Sequence, residues 1–203
     1  MYKHIIWDFD GTLFDTYPVM AGIFKDMLEE IGIHEPQESI LRNMKITLRH
    51  AIQIYSDKYP ITDSFLQEYN ERCHEAELKL CRPYEGIEEL CRYIKDSGRY
   101  NYLYTHRGET ALHYLKKYDL YGTFRDFITS MEGFPRKPDP TAINHLTQKY
   151  NMKREEALMI GDRDLDIMAA ANAGIQTCFF KEYDLDVNAD HMIVAFDELY
   201  DIL

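Results

Sequence analysis

The feature that most constrains this chain lies at its start, where the apolar run Ile5, Ile6, Trp7 leads directly into Asp8, Phe9, Asp10, Gly11 and Thr12. A short apolar run of this kind predicts a buried strand. Two carboxylates two positions apart project to the same side of an extended segment. Held near one another out of water they repel and lose hydration, so they need a cation or a proton beside them. Gly11 then lets the backbone turn tightly or approach a ligand. Taken alone, the stretch is also compatible with a polar strand end followed by an ordinary turn. The rest of the chain decides between the two.

After this strand, Met20, Ile23, Phe24, Met27, Leu28 and Ile31 recur at helical intervals, and Gly32 ends the pattern. Further helices are predicted over residues 39–59 and 63–80, so the whole stretch 17–82 reads as helical. Beyond Pro83 the pattern changes. Helices over 87–97, 109–118, 141–150 and 164–172 alternate with strands at 100–105, 127–129, 157–160 and 177–180. A short strand at 192–194 and a weak final helix close the chain. Alternation with short links predicts an α/β fold, a Rossmann-like, mostly parallel sheet with helices on both faces. The expected organisation is a catalytic α/β core of residues 1–16 and 83–203, with a small α-helical cap domain inserted at 17–82. Ligands of such sheets bind beyond the strand C-termini near a switch in strand order.

Composition narrows the function. The chain has 203 residues, 45% hydrophobic and 29% charged, which suits a folded protein with one sizeable core and a small accessory domain. Its 23 Lys and Arg against 35 Asp and Glu give a net charge of −12, which disfavours nucleic-acid binding. An anionic small molecule remains a reasonable substrate, provided that positive charge is concentrated locally or imported as a metal. Cys73, Cys81, Cys91 and Cys178 have no ligand-like spacing and read as reduced thiols. With no signal-peptide pattern and no apolar run approaching 18 residues, the expectation is a cytoplasmic protein with no membrane partner. Monomer and homodimer are both left open.

Several residues that carry chemistry follow predicted strands. Asp8, Asp10 and Asp162 offer hard oxygen ligands suited to magnesium. Thr105 brings a hydroxyl and a backbone N–H, and Lys137 is a cation set between Pro135 and Pro138. Singly each has a plain structural explanation: a solvated lysine, a helix cap, an acidic first turn. Together they suit phosphoryl transfer, with one carboxylate attacking while metal and lysine offset the growing charge.

In these four places the chain resembles the haloacid dehalogenase-like superfamily, in its phosphoglycolate-phosphatase-like branch with an inserted helical cap. The matching residues are Asp8-Phe9-Asp10-Gly11-Thr12, then Thr105, then Lys137, then Gly161-Asp162 with Asp166. The resemblance implies a magnesium-dependent phosphomonoester hydrolase acting on a small phosphorylated metabolite through an aspartyl-phosphate. In that scheme Asp8 is the nucleophile and Asp10 the general acid and base. Asp8, the Asp10 carbonyl and Asp162 hold the metal, and Asp166 supports the metal shell. Thr105 and Lys137 bind the phosphoryl group, helped by backbone N–H groups near Phe9 and His106. Asp10 argues against carbon–halogen chemistry, because the metal-free dehalogenases lack it. A phosphotransferase such as a sugar phosphomutase is the alternative, and a non-enzymatic regulatory protein a more distant one.

The chain departs from the family's pattern at one place: His106 stands where asparagine commonly follows the second motif, with Arg107 after it. His106 is either a substrate contact or a local structural replacement. Arg107 either points toward the leaving group or pairs with acidic residues of the cap. Within the cap, Arg42, Lys45 and Arg49 share one face if residues 39–59 form a single helix. Lys45 and Arg49 are then candidates to bind a second anionic group of the substrate, the alternative being a solvated face.

Overall fold

The computed structural model describes residues 1–181 and 187–203. The chain divides into two compact units, one of Met1–Phe14 with Pro83–Leu203 and the other of Asp15–Arg82. The first is built on β1 (His4–Trp7), which is buried at every position. Parallel strands covered on both faces require such unbroken apolar runs, and β1 is the innermost example here.

The second unit comes next in the chain and consists of α1 (Tyr17–Glu30), α2 (Gln37–Ile46), α3 (Leu48–Lys58) and α4 (Asp63–Leu80). Its core gathers around Phe24, whose ring lies 5.2–5.6 Å from those of Tyr55, Phe65 and Tyr69. The single helix expected over 39–59 is broken at Thr47, whose backbone is extended (φ −162°, ψ 153°). Its side chain accepts the His50 N–H at 2.9 Å, which starts α3 as a separate helix. Arg42 and Lys45 therefore sit on α2 and Arg49 on α3, so helical spacing does not place the three on one face.

The chain then returns to the first unit through α5 (Ile87–Asp96), β2 (Tyr100–Tyr104), α6 (Thr110–Lys117), β3 (Phe124–Ile128) and α7 (Thr141–Lys149). It continues with β4 (Ala157–Gly161), α8 (Asp164–Asn172), β5 (Gln176–Phe180), β6 (His191–Ile193) and α9 (Leu199–Ile202). Among the described residues six strands form one sheet in the order β3-β2-β1-β4-β5-β6, and every neighbouring pair is parallel. The side-chain period of two sorts the core. Ile6, Tyr102, Tyr104 and Met159 pack with Ala142, Ile143 and Leu146 of α7 and with Ala169 and Ala170 of α8. On the opposite face the Trp7 indole N–H donates to Asn101 Oδ1 at 2.9 Å, and the Asn101 amide donates to the Cys91 carbonyl of α5.

β3 begins three residues earlier than expected. As an edge strand it carries exposed Arg125 and half-buried Asp126, which interrupt the apolar signal without breaking the ladder. All four cysteines are buried thiols. Among the described residues no helix is long and apolar enough to cross a membrane. Residues 182–186, in the stretch leading to β6, lie outside the described residues.

The strand order fixes where a site belongs. From β1 the chain builds outward through β2 and β3, then returns to the other side of β1 with β4. A crevice therefore opens beyond the C-terminal end of β1, flanked by the ends of β2 and β4.

Candidate active site

Asp8, Thr105 and Asp162 follow β1, β2 and β4 at this crevice. The Asp8 N–H still donates to the Ile160 carbonyl at 2.9 Å, so the ladder holds the residue in place, and its side chain is buried. The chain turns immediately afterwards, with Gly11 at φ +77°, a conformation that favours glycine. The Phe9 carbonyl accepts the N–H groups of Leu13 and Phe14 in closing this turn. Because β1 ends at Trp7, strand alternation does not fix the relation between Asp8 and Asp10, and the two carboxylates take different partners.

Asp8 belongs to a buried cluster with Asp162 and Asp166, in which one oxygen of each lies within 4.8 Å of the others. Lys137 lies across it. Its Nζ is 2.6 Å from Asp8 Oδ1 and 2.6 Å from Asp166 Oδ1, and it donates to the Tyr104 carbonyl at 2.9 Å. The Tyr104 ring lies beneath it at 4.5 Å. Burial works against a charged lysine, but Asp166 and Asp8 outweigh it and hold the ammonium pKa above its ordinary value. Burial, followed by repulsion from Asp166, raises the Asp8 carboxyl to about 6 despite Lys137. For Asp166 burial acts in the same direction, but Lys137 and Arg163 prevail and hold it below the usual carboxylate range. A single lysine thus leaves one carboxylate of the pair short of compensation.

Three acidic groups with oxygen donors suit a hard divalent cation better than a soft one. Asp8 Oδ2 is buried and makes no hydrogen bond, and the Arg163 guanidinium stands off it at 3.6 Å. A cation beside Asp8 would relieve both the unmet oxygen and the raised pKa, so the residues fit a metal. The Asp10 carboxylate is not part of this cluster. It is clamped by Arg107, with Nε 3.1 and 3.2 Å from its two oxygens and Nη2 2.5 Å from Oδ1. Arg107 thus reaches a core residue, a partner that sequence reasoning did not weigh.

Thr105 is buried, but its backbone N–H is already committed to the Ile128 carbonyl at 2.9 Å. Only its hydroxyl, which accepts the Arg107 N–H at 3.0 Å, is left to meet a ligand. The backbone N–H groups of Phe9 and His106 make no hydrogen bond to a described residue. His106 Nε2 accepts the Lys137 backbone N–H at 2.9 Å. Within the helical unit, Lys45 is buried with its Nζ 5.0 Å from the Tyr17 ring centroid, whereas Arg42 and Arg49 are exposed. Asp164 is exposed and its Oδ1 accepts the Leu165 N–H, outside the acidic cluster.

Arg163 is the residue that sequence reasoning missed. Its guanidinium lies 3.6 Å from Asp8 Oδ2, 3.6 Å from Asp166 Oδ2 and 4.0 Å from Asp162 Oδ1. The available signal was its place in the acidic loop directly after Asp162, where a cation offsets its neighbours. Gly161 has a steric role. A Cβ there would stand 2.7 Å from Asp166 Cγ and 2.8 Å from its Oδ2. Gly161→Ala is therefore expected to cost about 1–3 kcal/mol by overpacking and to displace Asp166. A thermal unfolding midpoint equal to wild type would show that the loop absorbs the methyl group.

The family model described as haloacid dehalogenase-like hydrolase matches residues 5–180. Pyrophosphatase PpaX of Halalkalibacterium halodurans is 26% identical over 218 residues, covering 98% of this chain and 95% of that protein. A phosphoglycolate phosphatase of Nitrosospira multiformis is 29% identical over 182 residues, covering 85% and 80%. Among solved structures, a hydrolase from Streptococcus pneumoniae TIGR4 is 30% identical with a TM-score of 0.72, covering 99% of this chain and 97% of that one.

Proposed function

Because the chain belongs to the haloacid dehalogenase-like hydrolase family, we propose that it is a magnesium-dependent phosphatase that hydrolyses a small phosphorylated metabolite through an aspartyl-phosphate. The observation that carries this reading is the buried Asp8 carboxylate, held by Lys137 at 2.6 Å in a cluster with Asp162 and Asp166. Simple anion binding has no use for a buried carboxylate at the centre of the site. A nucleophile does.

In this scheme an Asp8 oxygen forms a bond to phosphorus as the bond from phosphorus to the ester oxygen breaks. Asp10 delivers a proton to the departing alkoxide, then takes one from the water that attacks the aspartyl-phosphate and regenerates Asp8. The Thr105 hydroxyl, the N–H groups of Phe9 and His106 and the Lys137 ammonium receive the phosphoryl oxygens. Arg107 pairs with Asp10 in its carboxylate form. A phosphate competes for that guanidinium, and so frees Asp10 to carry the proton. Asp8, Asp162 and the Asp10 carbonyl would hold magnesium, with Asp166 supporting them, and the ion would supply positive charge to the phosphoryl oxygens. Lys45 and Arg49 are candidates for a second anionic group on the substrate.

The relatives narrow the class of substrate to try. One is named a pyrophosphatase and the other a phosphoglycolate phosphatase, so pyrophosphate and small phosphorylated acids head the panel, with sugar phosphates and nucleoside monophosphates beside them. The expected result is release of inorganic phosphate without an organic acceptor, falling at least about 10²-fold when magnesium is chelated. Isomerisation that needs a bisphosphate activator and releases no phosphate would instead identify a phosphotransferase. No turnover of any substrate with magnesium present would overturn both.

A further inference from the structure

We infer that His106 is a positioning residue whose neutral imidazole, protonated on Nδ1, holds the Lys137 main chain so that its ammonium bridges Asp8 and Asp166. The inference rests on the phosphatase reading for its catalytic consequence but not for its geometry. A main-chain N–H can only donate. Its contact with His106 Nε2 at 2.9 Å therefore requires a lone pair there, and the one proton of the neutral ring must lie on Nδ1.

The contact matters because of where Lys137 sits. Residues 133–140 form no helix or strand, and Pro135, Pro138 and Pro140 supply no N–H groups to anchor the segment. Its main-chain ties include Asp139 N–H to the Arg136 carbonyl, the Asn172 side chain to the Pro138 carbonyl, and Asn144 N–H to the Pro140 carbonyl. His106 provides the tie at Lys137 itself, linking the segment to the end of β2. The same strand end completes the lysine's surroundings. The Tyr104 carbonyl accepts from Nζ, the Tyr104 ring lies beneath it, and the His106 ring packs edge-on to Tyr104 at 6.0 Å.

The surroundings also keep the ring neutral. Burial, followed by the nearby charges of Lys137, Arg136 and Arg163, lowers the His106 pKa to about 3. A protonated ring would present an N–H to the Lys137 N–H and break the contact. The histidine that replaces the family's usual asparagine is thus a fixed acceptor rather than a titrating group.

Side-chain reach makes this testable. The glutamine Oε1 occupies nearly the position of imidazole Nε2, the asparagine Oδ1 falls short of it, and leucine has no acceptor. On the best substrate of the panel, His106→Leu and His106→Asn are expected to lower kcat about 10- to 100-fold, the scale expected when a catalytic group is misplaced, while His106→Gln stays within about threefold of wild type. Long-range 1H–15N correlation at pH 7 should show wild-type His106 protonated on Nδ1. Equal kcat in all three variants, an equal loss in all three with unchanged unfolding midpoints, or a ring protonated on Nε2 would each overturn the inference. If wild type hydrolyses nothing on the panel but carries the Nδ1 proton, the phosphatase reading has failed while the hold on Lys137 stands.

Discussion

Asp8→Asn is expected to lower phosphate release by on the order of 10⁴ or more, while leaving a protein that unfolds at a temperature equal to or above that of the wild type. The first half follows from losing the attacking oxygen: a carboxamide fills the same space but is a far poorer nucleophile toward phosphorus. The second half follows from the cost of ionising Asp8 in this site. Burial and Asp166 raise its pKa to about 6, above the unfolded value, so the folded state binds a proton more tightly than the unfolded state does. Asp8 therefore contributes most favourably below the unfolded pKa, and that contribution is lost as pH rises through about 6. Asparagine removes the penalty. In chelator, the variant's advantage should be visible at pH 8 and disappear near pH 4. Added magnesium should narrow the gap by compensating the wild-type carboxylate. A variant that retains turnover, or one that melts well below wild type at pH 8, would remove Asp8 from the centre of the mechanism.

That a residue can be dispensable for folding and essential for activity also explains what could be read in the chain beforehand. β1 and β4 are legible because a central parallel strand must be apolar on both faces, and Ile5–Trp7 and 157–160 satisfy that rule locally. α4 was legible to its ends because Thr62 caps it, the side chain accepting the Phe65 N–H, and the apolar spacing is regular. The acidic residues that gather beyond the sheet were legible as a pattern, each following a strand. The break at Thr47 was not, since the same threonine that caps α3 is tolerated inside a helix, and only packing chooses between them. Neither was the contact between the His106 ring and the Lys137 N–H. It joins positions 31 apart in sequence, and no periodicity or composition encodes a hydrogen bond between a ring nitrogen and a loop backbone. Arg107 and Arg163 show the same limit. Their charge is visible in the sequence, but which carboxylate each one meets depends on how the strand ends converge.

The lysine should behave in the opposite way to the nucleophile. Lys137→Met keeps most of the buried stem's volume and removes the charge, leaving Asp8 and Asp166 facing each other without the ammonium that lies 2.6 Å from each. Breaking a buried ion pair from one side typically costs about 3–5 kcal/mol, so the variant should unfold well below wild type at pH 8, and kcat should fall on the order of 10³ through lost stabilisation of the phosphoryl oxygens. The sign of the pH dependence follows from the carboxylates. With the lysine gone their pKa values rise, the folded state takes up protons more readily, and stability recovers as pH is lowered from 8 toward 5. Magnesium should raise the variant's midpoint more than the wild type's, because a dication then meets two acids left to the Arg163 guanidinium, 3.6 Å from each. Combining Lys137→Met with Asp8→Asn should restore part of the lost stability but none of the activity, because one charge of the facing pair is removed along with the nucleophile. If the single lysine variant melts at the wild-type temperature at pH 8, or its midpoint does not move with pH, the ammonium is not what holds these carboxylates together.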